Sequence, residues 1–195
     1  MGKQKYLKAI EELFKKSPVV DSGSIGRIVR SKSKANQYEK QLVRNLILGG
    51  KIKKLVKGCY TMHDDSSLAV YCFSPSYLGL QDALSFHGIW EQETIPVIIT
   101  AKKARQGIRK ILGMNVLVRR INKKYLFGFE YFKQGSFYLP YSNIEKTFID
   151  MAYFNEKLTD DAARVLKKRI DMKKMNVYLK AYPARLRQRV LKILS

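Results

Sequence analysis

Acidic side chains are scarce in this sequence: 16 Asp and Glu stand against 38 Lys and Arg, a formal charge of +22 at pH 7. A surplus of this size repels itself in a compact fold and is expected where the partner is a polyanion. Histidine is scarcer still, with only His63 and His87. The two cysteines, Cys59 and Cys72, supply neither a disulfide framework nor a Cys-based zinc site. No apolar run approaches the ~20 residues of a membrane helix, and Met1-Gly2-Lys3-Gln4-Lys5 leads into a charged amphipathic segment, not an apolar signal core. There is no internal repeat, low-complexity tract or Gly/Ser linker. The expectation is a cytoplasmic protein with no membrane association. Its 46% hydrophobic content excludes wholesale disorder.

The positive charge is concentrated at the two ends. Residues 1–60 carry 15 basic and 4 acidic groups, residues 61–150 carry 11 and 8, and residues 151–195 carry 12 and 4. Such a distribution favours nucleic acid as the partner over acidic lipid.

Within the first sixty residues, Tyr6, Leu7, Ile10, Leu13 and Phe14 share one side of a helix that Ser17-Pro18 terminates. Asp21 to Ser24 form a turn and capping cluster before a short helix over Ile25 to Arg30, and Ser31 to Lys34 read as the next turn. A third helix is expected from Asn36 to Leu48, stopped by Gly49-Gly50. Ala35, Leu42, Val43 and Leu46 lie on its apolar side, with Glu39 at the edge. Gln37, Lys40, Gln41 and Arg44 lie on the other, a donor and acceptor set matched to base edges and phosphates. Lys51 to Tyr60 then predicts two short basic strands turning near Lys57-Gly58. Three helices followed by a basic hairpin is the order of a winged helix-turn-helix.

After Leu68 the character changes. Leu68 to Phe73 predicts a strand and Leu80 to Phe86 a helix ended by Gly88. Pro96 to Thr100, Val116 to Val118, Tyr125 to Phe132 and Phe137 to Leu139 predict further strands. A helix follows over Ile144 to Phe154, and the remainder reads as basic helices interrupted near Pro183. The aromatics Phe127, Phe129, Tyr131 and Phe132 are expected in a core.

Catalytic groups are thinly represented. Asp82, Ser85 and His87 share one short helix, so their side chains diverge, and no oxyanion-hole motif accompanies them. The strand ending Ile99-Thr100-Ala101-Lys102 has Thr100 where a metal-dependent nuclease needs an acid. Asp64-Asp65 and Glu91-x-Glu93 read as solvated loops. No phosphate-cradling or dinucleotide-binding Gly-rich motif is present. The expectation is a non-enzyme without catalytic residues, metal or cofactor.

Three stretches resemble a known family. Gly50-Lys51-Ile52 through Lys57-Gly58-Cys59-Tyr60 looks like the wing of AbiEi-type antitoxins. Ser74 to Ile89 (SPSYLGLQDALSFHGI) resembles their tyrosine-led helix ending in a Ser-x-His-Gly turn, and Glu145-Lys146-Thr147-Phe148-Ile149-Asp150 their Glu-Lys helix. Asn143 stands where these proteins often carry proline. The resemblance covers roughly residues 4–154. It implies an autorepressing DNA-binding antitoxin that opposes a nucleotidyltransferase-like toxin.

The combined expectation is an α+β chain with a winged helix-turn-helix at 1–62 and a mixed α/β antitoxin-like domain with a basic helical end at 63–195. Ser33, Lys34, Asn36, Gln37, Lys40, Gln41 and Arg44 would approach double-stranded DNA from the third helix and the turn before it. Lys51, Lys53, Lys54 and Lys57 would do so from the hairpin. An inverted-repeat operator would be read by a homodimer. Two other readings stand beside it: an RNA-associated structural protein, and an antitoxin acting only through toxin neutralisation.

Overall fold

The computed structural model describes residues 6–30 and 36–194. The architecture is mixed α+β, and the chain divides into two compact units: Met1–Cys72 with Lys110–Met114, and Phe73–Arg109 with Asn115–Ser195. The first unit thus runs past residue 62.

In the first unit, helices α1 (Leu7–Lys16), α2 (Ser22–Arg30) and α3 (Asn36–Leu48) enclose an apolar core with a three-stranded sheet. The sheet has the order β1-β3-β2, from β1 (Val20–Asp21), β2 (Lys53–Val56) and β3 (Cys59–Thr61). Ile10, Phe14, Ile25, Val29, Leu42, Val43 and Leu46 meet in its centre. Asp21 starts α2 by accepting the Ser24 N–H at 2.8 Å, satisfying one of the donors a helix start leaves free. At the end of α3, Lys51 N–H donates to the Leu46 carbonyl and Gly50 N–H to that of Ile47. Gly50 has φ +67°, the left-handed conformation this helix stop requires. That stop sends the chain directly into β2. At Gly26 of α2 the nearest group is the carboxylate end of the Glu39 side chain on α3, 2.7 Å from where a methyl group would lie.

The second unit carries a six-stranded mixed sheet of order β6-β7-β5-β4-β9-β8, apart from the Lys110–Met114 segment of β6 and β7 that belongs to the first. Its strands are β4 (Ser76–Leu78), β5 (Val97–Thr100), β6 (Gly107–Ile111), β7 (Met114–Arg120), β8 (Phe129–Gln134) and β9 (Phe137–Ser142). Helices α4 (Leu80–Phe86), α5 (Ile144–Phe154), α6 (Asp160–Arg169), α7 (Met172–Leu179) and α8 (Ala184–Leu194) complete it. β4 pairs antiparallel with β5 and parallel with β9. One core joins Tyr77, Leu84 and Ile99 to Phe148, Leu166, Met175 and Val190. Helix α5 is its centre: every residue from Glu145 to Ala152 is buried, not one face alone.

Three expectations are corrected. Leu68 to Phe73 lie in a 3-10 helix over Ser66–Phe73, not a strand, since a short apolar run does not by itself distinguish the two. The segment from Tyr125 is extended only from Phe129. Lys123–Tyr125 form a 3-10 turn, and Gly128 has φ +71°. Tyr131 is not in the core but 61% exposed: on the side of β8, an edge strand, that it shares with Phe129 and Lys133, Phe129 stacks on Tyr77 while Tyr131 lies beyond that packing.

Candidate nucleic-acid interface

Helix α3 buries Leu42, Val43 and Leu46 and exposes Lys40, Gln41 and Arg44. Its one-sided burial follows the 3.6-residue period, so positions 40 and 44 fall one turn apart on the outer surface. Beside this surface runs the β2–β3 ribbon, whose ladder sets Lys53 opposite Thr61 and Lys54 opposite Tyr60. A bulge between Lys54 and Val56 tightens the ribbon before its Lys57-Gly58 turn, where Gly58 has φ +81°.

Helix and ribbon enclose a groove of about 440 Å³. Glu39, Lys40, Val43 and Arg44 line it from α3, Lys54, Lys57 and Tyr60 from the ribbon, and Ser22 from α2. Among the described residues none of these four cations takes part in an ion pair. Burial, with the negative charge of Cys59 and Glu39 adding to it, raises the Tyr60 phenol above its ordinary range, so it stays a neutral hydroxyl.

The other candidates are placed differently. Gln41 lies on the flank of α3 that faces α1. It donates to Asn45 Oδ1 at 3.1 Å and shares an apolar groove with Leu7 and Tyr38. Lys51 lines that same groove and sits 3.5 Å from Glu11. Lys53 is paired with Asp64. Asn36 and Gln37 belong by backbone to the first turn of α3. Ser33 and Lys34 lie outside the described residues. The structure therefore gathers four of the expected residues and separates Gln41, Lys51 and Lys53 from them. Tyr60 is the groove residue that sequence reasoning did not select. No sequence signal announces it: regular pairing around the Lys57-Gly58 turn would set Tyr60 opposite Leu55, and the bulge between Lys54 and Val56 moves it opposite Lys54.

Several polar groups of the second unit are engaged within the fold. Asp82 Oδ2 accepts the Val97 N–H at 3.0 Å, while His87 Nε2 lies 2.8 Å from the Ser142 carbonyl, so the two diverge onto different strands. Thr100 Oγ1 donates to the Phe73 carbonyl at 2.6 Å. Deeper still, Lys146 and Asp150 form an ion pair with both side chains fully buried, and Tyr77 donates its hydroxyl to the other Asp150 oxygen at 2.6 Å. The rings of Tyr77, Phe127 and Tyr182 surround the Lys146 ammonium at 5.3, 5.5 and 5.9 Å. Burial pushes the Asp150 carboxyl up and the Lys146 ammonium down, and each partner pulls the other back toward its charged form. Among the described residues, no three His, Cys, Asp or Glu side chains are grouped to hold a metal ion. No described helix is long and apolar enough to cross a membrane.

No family model matches this chain, and no curated protein matches it either. Among solved structures, it is similar to the crystal structure of the Rv2827c protein from Mycobacterium tuberculosis, with a TM-score of 0.58 and 15% identity. That match covers 97% of this chain and 76% of the other, and at this identity the two share a fold.

Proposed function

We propose that this chain is a sequence-specific regulator that binds double-stranded DNA through a winged helix-turn-helix, with α3 as the reading helix and β2–β3 as the wing. The observation that carries this is the groove in which Lys40, Arg44, Lys54 and Lys57 meet with no ion pair among the described residues, four cations against the single carboxylate of Glu39. Cations held together without partners favour an anion that comes from outside the fold. Arg44 has the paired donors that suit guanine edges, and Lys54 and Lys57 suit phosphates. On this reading the protein is cytoplasmic and works as a homodimer on an inverted repeat. The resemblance to AbiEi-type antitoxins extends the proposal to autorepression and to a nucleotidyltransferase-like toxin as partner of the second unit.

Selection of bound duplexes from a random library tests it. Enrichment of one motif, lost with Arg44→Glu, is the expected result. Absence of any enriched motif with the unaltered protein overturns it.

One observation favours a second reading, an RNA-associated protein. Tyr131 and Tyr138 are 61% and 54% exposed on the same face of β8–β9, with Lys133 directly opposite Tyr138. Exposed aromatics beside a cation form a platform on which unpaired bases stack. Competition decides between the two. If single-stranded RNA displaces the selected duplex at equal concentration, and Tyr131→Ala prevents this, the second reading holds.

A further inference from the structure

The second unit contains another concave cationic site, remote in sequence from α3. Lys124 follows Asn122, whose side-chain oxygen accepts the Lys124 backbone N–H at 3.1 Å and fixes the short turn that carries it. Arg185 and Arg189 come from consecutive turns of α8, next to Pro183. These three cations line a pocket of about 570 Å³ with Tyr125 and Tyr153, and no carboxylate lines it among the described residues. A volume of this order suits a small ligand rather than a lone ion.

Two of its three cations are held by neighbours. Asn155, at φ +59°, ends α5 and accepts a hydrogen bond from Arg189 Nη1, so the guanidinium is positioned by an amide and keeps its charge uncompensated. Arg185 has no hydrogen bond or ion pair among the described residues. Lys124 Nζ sits 4.9 Å above the Tyr125 ring. That ring is stacked at 4.2 Å on Tyr182 and meets Tyr153 edge-on at 5.6 Å, giving an aromatic wall with little freedom to collapse. Burial also keeps the Tyr153 phenol protonated, as a neutral donor.

We infer that this pocket binds a nucleotide, with the phosphate on Lys124, Arg185 and Arg189 and the base against the Tyr153 side of the aromatic wall. Three cations without a carboxylate call for an anion with several acceptor oxygens, and the guanidinium fork matches phosphate. The aromatic wall and the Asn122 and Asn155 amides add a flat surface and hydrogen-bonding edges, which inorganic phosphate cannot use and a base can. The nucleotide is either free or the end of a nucleic-acid strand. This inference does not rest on the α3 groove.

Calorimetric titration of the full chain tests it with four probes: inorganic phosphate, a nucleoside, the corresponding nucleoside 5′-monophosphate, and a 5′-phosphorylated single-stranded oligonucleotide. The monophosphate is expected to bind at least about tenfold more tightly than either phosphate or nucleoside alone, since both halves of the pocket are then used. Arg185→Ala breaks no hydrogen bond or ion pair among the described residues and should weaken the monophosphate about tenfold. Tyrosine ring resonances should shift in the unaltered protein. Tighter binding of the oligonucleotide identifies a strand end as the source, and tighter binding of the monophosphate a free nucleotide. Equal affinity for phosphate and monophosphate overturns the inference, as does an Arg185→Ala chain that binds the monophosphate unchanged. Lys40→Glu with Arg44→Glu should leave all four titrations unaltered while abolishing duplex selection, so the two sites fail separately.

Discussion

Lys54 and Tyr60 stand directly opposite one another on the β2–β3 ladder, and both line the groove against α3. Their pairing gives the ribbon one cationic and one neutral polar contact at the same level. Neighbouring Lys53 is turned the other way, to Asp64. Since successive strand residues point to opposite faces, the ribbon's lysines cannot all serve one ligand.

Substitution across the candidate set should therefore give graded effects. Arg44→Ala is expected to reduce discrimination between selected and scrambled duplex by roughly 1–3 kcal/mol. Lys54→Ala should weaken both duplexes alike, because phosphate contacts carry no sequence information. Lys51→Ala and Lys53→Ala should matter less than Lys54→Ala, since these lysines are engaged by Glu11 and Asp64. Fluorescence anisotropy on both duplexes measures all of these. A larger loss for Lys51→Ala than for Lys54→Ala would move the binding face to the α1 side.

The dependence of duplex affinity on salt should be moderate, not extreme. If the four groove cations each neutralise one phosphate, log K falls against log salt with a slope of about −3.6. A flat dependence counts against nucleic acid in the groove altogether. A slope twice as steep requires cations from elsewhere in the chain.

Removing one member of the buried Lys146–Asp150 pair should be severe. Lys146→Met or Asp150→Leu alone leaves an uncompensated buried charge and should cost roughly 3–5 kcal/mol, read as a shift in the urea midpoint. The double substitution should recover most of that loss. If the double variant is as unstable as the singles, the Tyr77 hydroxyl and the aromatic cage, not the ion pair, dominate the site.

His87 gives a pH signature. Burial holds its imidazole below the ordinary value of 6.5, with the Arg169 charge acting in the same direction against the Ser142 hydrogen bond. A depressed folded-state value means that the unfolded chain takes up the proton first. The stabilisation is therefore complete above about pH 6.5 and is lost as pH falls through the lower folded value. Denaturation midpoints should decline below pH 6.5, and His87→Gln should flatten that decline. An NMR titration of the ring is expected to place its midpoint below 6.5.

The elements that were legible from sequence are those whose signal is local. Helix α3 spans Asn36–Leu48 as expected, because its apolar stripe and its Gly49-Gly50 stop lie within the same fifteen or so residues. Helix α5 likewise begins and ends where expected, with Asn143 accepting the Lys146 N–H at 3.0 Å as its cap. β1 and β4 carry no strand signal in the sequence, being too short to show alternation. Ser76–Leu78 extends because β5 and β9 pair with it on both sides, partners far away in sequence. The exposure of Tyr131 follows from β8 being at the sheet edge, which only topology reveals. The sorting of the lysines is similarly non-local: Glu11 reaches Lys51 across forty residues, and no spacing rule in the hairpin announces it.

Helix α3 also bears on how such a sequence can diverge. Leu42 and Leu46, which anchor it, are different from the side chains that give the groove its charge, Lys40 and Arg44. Selection on packing and selection on surface chemistry thus act on separate letters of one short segment. Descendants could exchange Lys40 and Arg44 freely while the helix kept its seat, so new preferences could arise by single steps through folded intermediates. Homologues aligned over this helix should show invariant hydrophobic columns alternating with columns that vary from lineage to lineage.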